Sequence, residues 1–407
     1  MITRALLALS SFALLAACGG ARTTAATGPA VQLEETRIVA RRTSGGELEL
    51  DSYDASQLFQ RAYELGQRGE CAQAVELYDR VVAEFPSSRF LSPALYNAGL
   101  CLQNSGELAG AVERWSMLLD RAPDAPDAKH ARFLMTAALV ELERWEPALD
   151  SAELLLDRDD LRSDERLEAM ARRAEALFGL RRVEDAERAA RDALAYYRTR
   201  QGEEIIADEY FAAAANFVLA ETIRARSEAL VLPDSDVVTQ RETLDRRAQL
   251  LLDAQRAYFD TMRHTDARWA AAAGYRIGAM YEQLYRAITE APVPPPPPDR
   301  PLTGDALEIY RREYRGQLAD RVRPLVRHAI RYWELTLLMV ERTGVRSDWV
   351  ERTRTDLDRA RQLLLGGPVS DTPLEPEPAR ALGSPADAPD RPPTSTAAAP
   401  SSAPVHQ

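Results

Sequence analysis

From Asp54 to Leu365 the chain reads as a succession of amphipathic helical segments, with apolar residues three and four apart and few breakers within each segment. Aligned on Ala74, Ala111, Ala148 and Ala186, the segments recur at spacings of 37, 37 and 38 residues. Twelve residues before these alanines stand Ala62, Gly99, Thr136 and Ala174, which are small. Nine before them stand Leu65, Leu102, Leu139 and Leu177. Four after them come Tyr78, Trp115, Ala152 and Ala190. Gly69 and Gly106 break the first two copies in the middle, and Pro86 and Pro123 stop them. A repeated pair of helices with a small residue at the crossing follows from this register, because helix axes approach to about 8 Å only when one crossing side chain is small. The third copy is less regular than the first two and the fourth is degenerate. A fifth unit is expected near Tyr210–Glu221 and a sixth on Tyr275-Arg-Ile-Gly278-Ala-Met-Tyr281.

Local signals suggest where helices begin. Ser92-Pro93 reads as an N-cap followed by proline in the first helical position. Asp54 with Gln57 reads as a capping box. Glu168/Arg172, Glu184/Arg188 and Glu187/Arg191 have the i,i+4 spacing of ion pairs on exposed faces. Residues 305–343 read as a helix kinked or broken near Pro324. A last helix is expected over 347–365.

Leu95-Tyr96-Asn97-Ala98-Gly99 closely resembles the tetratricopeptide-repeat consensus. The resemblance implies an all-α fold, a right-handed α-solenoid with an N-terminal tether and a C-terminal tail. It also implies a concave face lined by fixed positions of each first helix. Carried onto this chain, those positions are Phe59, Tyr63, Tyr96, Asn97, Leu100, Gln103, Asn104, His130, Phe133, Ala137, Glu175 and Phe178. Aromatics there offer large contact area at low entropic cost to an extended peptide or partner helix. The competing expectation is that they pack against neighbouring repeats or a C-terminal half folded back.

The N-terminus adds a compartment. Met1-Ile2-Thr3-Arg4 is basic, and the apolar run Ala5–Leu15 is shorter than the about 20 residues a spanning helix needs. The run ends in Leu15-Ala16-Ala17-Cys18, which resembles a bacterial lipobox. That implies a signal peptide over 1–17, acylation of Cys18 and, with Gly19 following, sorting to the outer membrane facing the periplasm. Residues 18–50 then read as a tether, 51–200 as repeats one to four, and 201–365 as a divergent helical region with a proline-rich insertion at 292–301. Glu47–Asp51 alternates like a short strand. Residues 366–407 carry almost no large apolar side chains and are expected to be disordered.

A net charge of −12 argues against nucleic-acid partners, and Lys129 is the only lysine. No nucleophile elbow, phosphate loop, dinucleotide fingerprint or metalloprotease helix is present, so no enzyme activity, cofactor, metal site or small-molecule substrate is expected. The paired acids Asp159-Asp160 and Glu203-Glu204 read as solvated surface. Cys71 and Cys101 are either bridged or two separate small hydrophobes. Residues 54–160 resemble repeat lipoproteins of the barrel-assembly machinery and the Tol system. The later half loosely resembles a repeat lipoprotein of myxobacterial gliding motility. These likenesses imply protein partners in a cell-envelope complex, either as a scaffold or as a holder of unfolded barrel proteins. A third expectation is a motility or peptidoglycan-associated subunit.

Overall fold

The computed structural model describes residues 35–42, 48–203, 209–296 and 300–365. The signal sequence, Cys18 and the tail from 366 onward lie outside the described residues. Two units are present, one ending at Asp54 and one beginning at Ala55.

The first unit holds an antiparallel hairpin. Strand β1 (Thr36–Arg42) pairs with β2 (Leu48–Asp54), with Thr36 opposite Asp54 and Arg42 opposite Leu48. The reading of 18–50 as tether is corrected here. Ile38, Val39 and Ala40 on one strand pair with Ser52, Asp51 and Leu50 on the other; β2 overlaps the short strand expected at Glu47–Asp51, while β1, with Thr36, Ile38 and Val39, was read as tether.

The second unit is helical throughout its described elements. Its helices are α1 (Ala55–Gln67), α2 (Cys71–Glu84), α3 (Leu91–Asn104), α4 (Leu108–Arg121), α5 (Ala128–Glu141), α6 (Trp145–Leu156), α7 (Ser163–Gly179), α8 (Val183–Gln201), α9 (Tyr210–Glu228), α10 (Val237–Met262), α11 (Ala267–Thr289), α12 (Asp305–Thr343) and α13 (Asp348–Leu364). Each packs on the next, and odd-numbered helices also touch: α1 on α3, α5 on α7, α7 on α9, α9 on α11 and α11 on α13. This is an α-solenoid of helix pairs whose first members form one layer.

The crossings follow the expected register. Gly99 of α3 faces Trp115 of α4 so closely that an added Cβ would lie 2.3 Å from the indole nitrogen. Trp115 is fully buried, and its Nε1 donates to the Tyr96 carbonyl at 3.3 Å. The same device returns at the far end. Gly278 of α11 lies under Trp333 of α12, whose Nε1 donates to the Tyr275 carbonyl at 3.0 Å. In both places the carbonyl belongs to the residue three before the glycine, so α11 and α12 form a repeat whose two helices are separated by the proline-rich insertion. In the third copy the crossing is polar, with Thr136 Oγ1 2.7 Å from Ser151 Oγ.

The turn inside each pair also keeps register. Gly69 and Gly106 have φ of +78°, and Glu143 and Arg181 occupy the matching positions with φ of +56° and +61°. The latter two are left-handed without being glycine, which costs about 1–2 kcal/mol each. That is why the glycine signal vanishes from copies three and four while the turn persists.

Several local expectations are revised. Helix α3 begins at Leu91, so Pro93 occupies its third position, where its missing N–H still falls among the unpaired first four. Helix α12 runs unbroken through the exposed Pro324, held beyond it by buried Val326, Ala329, Trp333, Thr336 and Val340. Clear caps start α10 and α11 instead, where Asp236 Oδ1 accepts from the amides of Val238 and Thr239, and Asp266 Oδ1 from those of Arg268 and Trp269. Of the expected surface ion pairs, Glu187–Arg191 forms, but Glu187 is buried and also binds Arg226. Arg172 is buried against Glu175 at 3.0 Å, and Arg188 pairs with Asp185. Alanine-rich helices approach closely enough to enclose long side chains that the i,i+4 rule assigns to solvent.

Candidate partner-binding face

The odd-numbered helices bring the sequence-selected residues into one layer, where the exposed ones, Tyr63, Asn104 and His130, all stand on α1, α3 and α5. On α1, Phe59 is half-buried, its ring 5.1 Å from that of Phe90 and 5.6 Å from Tyr78, while Tyr63 next to it is 43% exposed. On α3, Asn97, Leu100 and Gln103 are half-buried and Asn104 is exposed. Tyr96 is buried, and its hydroxyl lies 2.6 Å from His130 Nδ1 of α5, tying the second repeat to the third. Burial, followed by the nearby Asp127 carboxylate, pushes the Tyr96 phenol up to about 12, so it stays neutral. Lys129 of α5 reaches Glu165 of α7 at 3.0 Å and ties the third repeat to the fourth.

Beyond α3 the expectation of an open face fails in part. Phe133 is only 7% exposed and packs with Leu155 and Ala169, so it belongs to the core. Glu175 is 1% exposed against Arg172, and burial raises its carboxyl above the ordinary range despite that arginine. Phe178 and Ala137 are half-buried. Helix α9 closes over this region because Ala212–Ala215 present no side chain large enough to hold it off, and all four are fully buried.

From α9 onward the layer is filled by aromatics. Tyr210 meets Trp269 at 5.6 Å, Trp269 meets Phe217 at 5.1 Å, and Phe217 meets Trp349 of α13 at 6.2 Å. Trp349 also contacts Tyr275 at 5.4 Å, and Arg276 sits over its ring at 4.9 Å. Helix α13 thus covers α9 and α11, and the unfilled part of the layer lies on α1 and α3 with the adjoining edge of α5.

Under the aromatics lies a charge cluster that sequence reading passed over. Glu221 of α9 is fully buried, 2.8 Å from Arg224 and 3.1 Å from Arg276, and it accepts from the Tyr258 hydroxyl. Burial alone pushes its carboxyl up, but the two guanidinium groups together outweigh burial and hold it at about 2. An acid inside the apolar run Phe211–Ala220-Glu221 was the available signal.

Other candidates resolve simply. Asp159 and Asp160 are exposed, with Asp160 on Arg158 at 2.7 Å, and Glu203 is exposed on Arg200. No group of three metal-binding side chains occurs among the described residues, and none of their helices is long and apolar enough to cross a membrane. Cys71 and Cys101 are both free. Burial, followed by the influence of the Cys71 thiol, pushes the Cys101 thiol up to about 12. The two sulfurs are therefore neighbours across the first and second repeats. Oxidised protein is expected to yield a linked peptide pair containing both residues on non-reducing mass mapping. Full alkylation of both thiols in denaturant after oxidant treatment is the contrary result.

No family model matches this sequence, and no curated protein matches it. Solved structures show likeness in helical repeats. A fragment of MamA (from residue 41) of Desulfovibrio magneticus RS-1 is 18% identical with a TM-score of 0.33, over 48% of this chain and 94% of that one. YrrB, described as a TPR protein with an unusual peptide-binding site, is 16% identical with a TM-score of 0.34, over 51% and 92%. A tetratricopeptide repeat protein of Parabacteroides merdae ATCC 43184 is 14% identical with a TM-score of 0.35, over 74% and 98%. Likeness at this level adds nothing to the class that the helices themselves define: an α-solenoid of tetratricopeptide-like pairs, with an open face at one end and a filled one at the other.

Proposed function

We propose that this chain is a lipid-anchored, periplasm-facing scaffold of the outer membrane that binds a protein partner on the face formed by α1, α3 and the edge of α5. One observation carries the binding reading. Tyr63, Leu100, Gln103 and Asn104 share one helix layer and keep solvent exposure, while the same layer is closed from α7 onward by the chain's own aromatics. A rigid strip of amides and one phenol suits an extended peptide, whose main chain the amides pair and whose side chains Tyr63 and Leu100 contact. The short apolar leader and Leu15-Ala16-Ala17-Cys18 support the anchor and the compartment. The acidic balance and the lack of a catalytic motif favour a binding role over chemistry.

The test is capture of the tagged full chain from detergent-solubilised envelopes, with and without Tyr63→Asp and Leu100→Asp. The expected result is a partner retained by the wild type and lost by at least 10-fold in the double variant, with an unchanged melting temperature. Equal capture by both proteins removes this face from the function. Wild type found in the soluble fraction removes the anchor.

A second reading, a holder of unfolded barrel proteins, draws on the same strip. It differs in expecting many weakly held clients, where the scaffold reading expects one.

A further inference from the structure

Two thiols lie directly behind the strip formed by α1 and α3. Cys71 is the first residue of α2, just past the turn that joins it to α1. Cys101 lies on α3, next to Leu100 and two residues before Gln103. Its sulfur reaches across to that turn. A Cβ added to Gly66, in the last turn of α1, would lie 3.4 Å from Cys101 Sγ and 4.0 Å from the Ala74 Cβ of α2. The Gly66 carbonyl accepts from the Gly69 amide at 3.0 Å, so this glycine belongs to the turn itself. Helices α1, α2 and α3 therefore meet at the Cys101 sulfur. Tyr78 of α2 joins the thiols to the face. It is fully buried, and burial, followed by Cys101, Tyr63 and Cys71, pushes its phenol up. Phe59 lies 5.6 Å from the Tyr78 ring and stacks beside Tyr63 at 6.5 Å.

The two thiols differ in access. Cys101 is 7% exposed, whereas Cys71 is half-buried at the start of its helix. The thiolate is the attacking form, and burial disfavours it. A reagent from solvent therefore meets Cys71 first, and Cys101 is placed to react with what forms there.

We propose that Cys71 and Cys101 are a redox lock, a site that reacts with a disulfide oxidant and thereby fixes the first repeat on the second and holds the strip of Tyr63 and Leu100 in one geometry. The lock rests on the reading of that strip as the partner face. Its chemistry is two exchanges. The Cys71 thiolate attacks one sulfur of the oxidant, forms a mixed disulfide and releases one thiolate. Cys101 gives its proton to solvent, attacks Cys71 Sγ and releases the second. Two protein thiols are oxidised, and one disulfide is reduced to two thiols. Compartments in which exported proteins hold disulfides supply this class of oxidant.

The effect on the face follows from chain entropy. The link closes a loop of about 30 residues and shifts local opening of that loop by about 100-fold in the chain-entropy model. The loop holds all of α2 and most of α3. One half of the strip rests on Tyr78 of α2 through Phe59, and the other half stands on α3. Both halves are therefore held by the linked helices. A face held in its bound geometry loses less freedom when the partner arrives.

The test compares the full chain treated with oxidised glutathione, the same chain in dithiothreitol, and Cys71→Ser under both conditions. Iodoacetamide on the native reduced chain should label Cys71 and spare Cys101. Oxidation should give a monomer whose peptide map joins Cys71 to Cys101. Amide exchange in α2 and α3 should then slow by at least about 10-fold, with α11 and α12 unchanged. Dithiothreitol should reverse the change, and Cys71→Ser should keep the reduced rate throughout. Partner capture from solubilised envelopes should be at least about 3-fold higher for the oxidised chain. A link to Cys18 or between two chains in place of the Cys71–Cys101 link overturns the proposal. So does a Cys71–Cys101 link that leaves exchange or capture unchanged. The combination of Tyr63→Asp and Leu100→Asp tells the two failures apart: where it abolishes capture the lock alone has failed, and where it does not the face has failed.

Discussion

Gly99→Leu is expected to unfold the second repeat. A Cβ at this position would already stand 2.3–2.8 Å from three atoms of the Trp115 indole, and that indole is fully buried and anchored on the Tyr96 carbonyl. Moving the ring away would give up that hydrogen bond. Overpacking of an ordinary core site costs about 1–3 kcal/mol, and a leucine at a helix crossing adds three further carbons to a clash that alanine alone would cause, so more than about 3 kcal/mol is expected. In a repeat array each unit is stabilised chiefly by its neighbours. The loss should therefore concentrate in α2 to α5. Hydrogen exchange measured by helix is the check: amides of α3 and α4 should lose protection while those of α11 and α12 keep it. Uniform protection across the variant would place the crossing elsewhere.

Replacing Glu221 by alanine is expected to cost about 3–5 kcal/mol, the range for stripping one partner from a buried ion pair. Arg224 keeps Glu228, but Arg276 is 7% exposed and lies 3.1 Å from Glu221, whose charge it would lose. The Tyr258 hydroxyl also loses its acceptor. The pH dependence has a definite sign. The folded-state carboxyl at about 2 lies below its ordinary value near 4.5, so the stabilisation it provides is present above the ordinary value and is lost as pH falls toward 2. Urea unfolding of wild type and Glu221→Ala should accordingly differ most at pH 6–7 and converge near pH 2–3. A constant difference over that range would show that lost packing, and not the charge, is responsible.

The two variants probe different kinds of information. Gly99 and Trp115 were legible because a crossing demands a small residue opposite a large one, and that demand recurs at a fixed period. The same reasoning located Gly278 correctly, although its partner Trp333 comes after an insertion that hides the period. The partners of Glu221 were not legible. They stand on α9 itself, α10 and α11, and no spacing along the chain brings Arg276 or Tyr258 to it. Phe133 and Tyr63 make the same point within the inner layer. Both were assigned to an open face by repeat position. Tyr63, on the first described helix, stays 43% exposed, whereas Phe133 meets Leu155 and Ala169 of the helices that follow.

By itself, then, the sequence determined the helix pairs, the crossings of the first repeats and the glycine turns at Gly69 and Gly106, all of which depend on contacts within about 40 residues and repeat often enough to be read. The tertiary structure decided how much of the inner layer stays open. Closure depends on α9 descending onto α7 through a run of alanines and on Trp349 of α13 reaching Phe217, a contact 132 residues apart in the chain. Such contacts are set by the accumulated rotation of successive repeats, and small changes in each crossing sum over the stack into the position of its last helix.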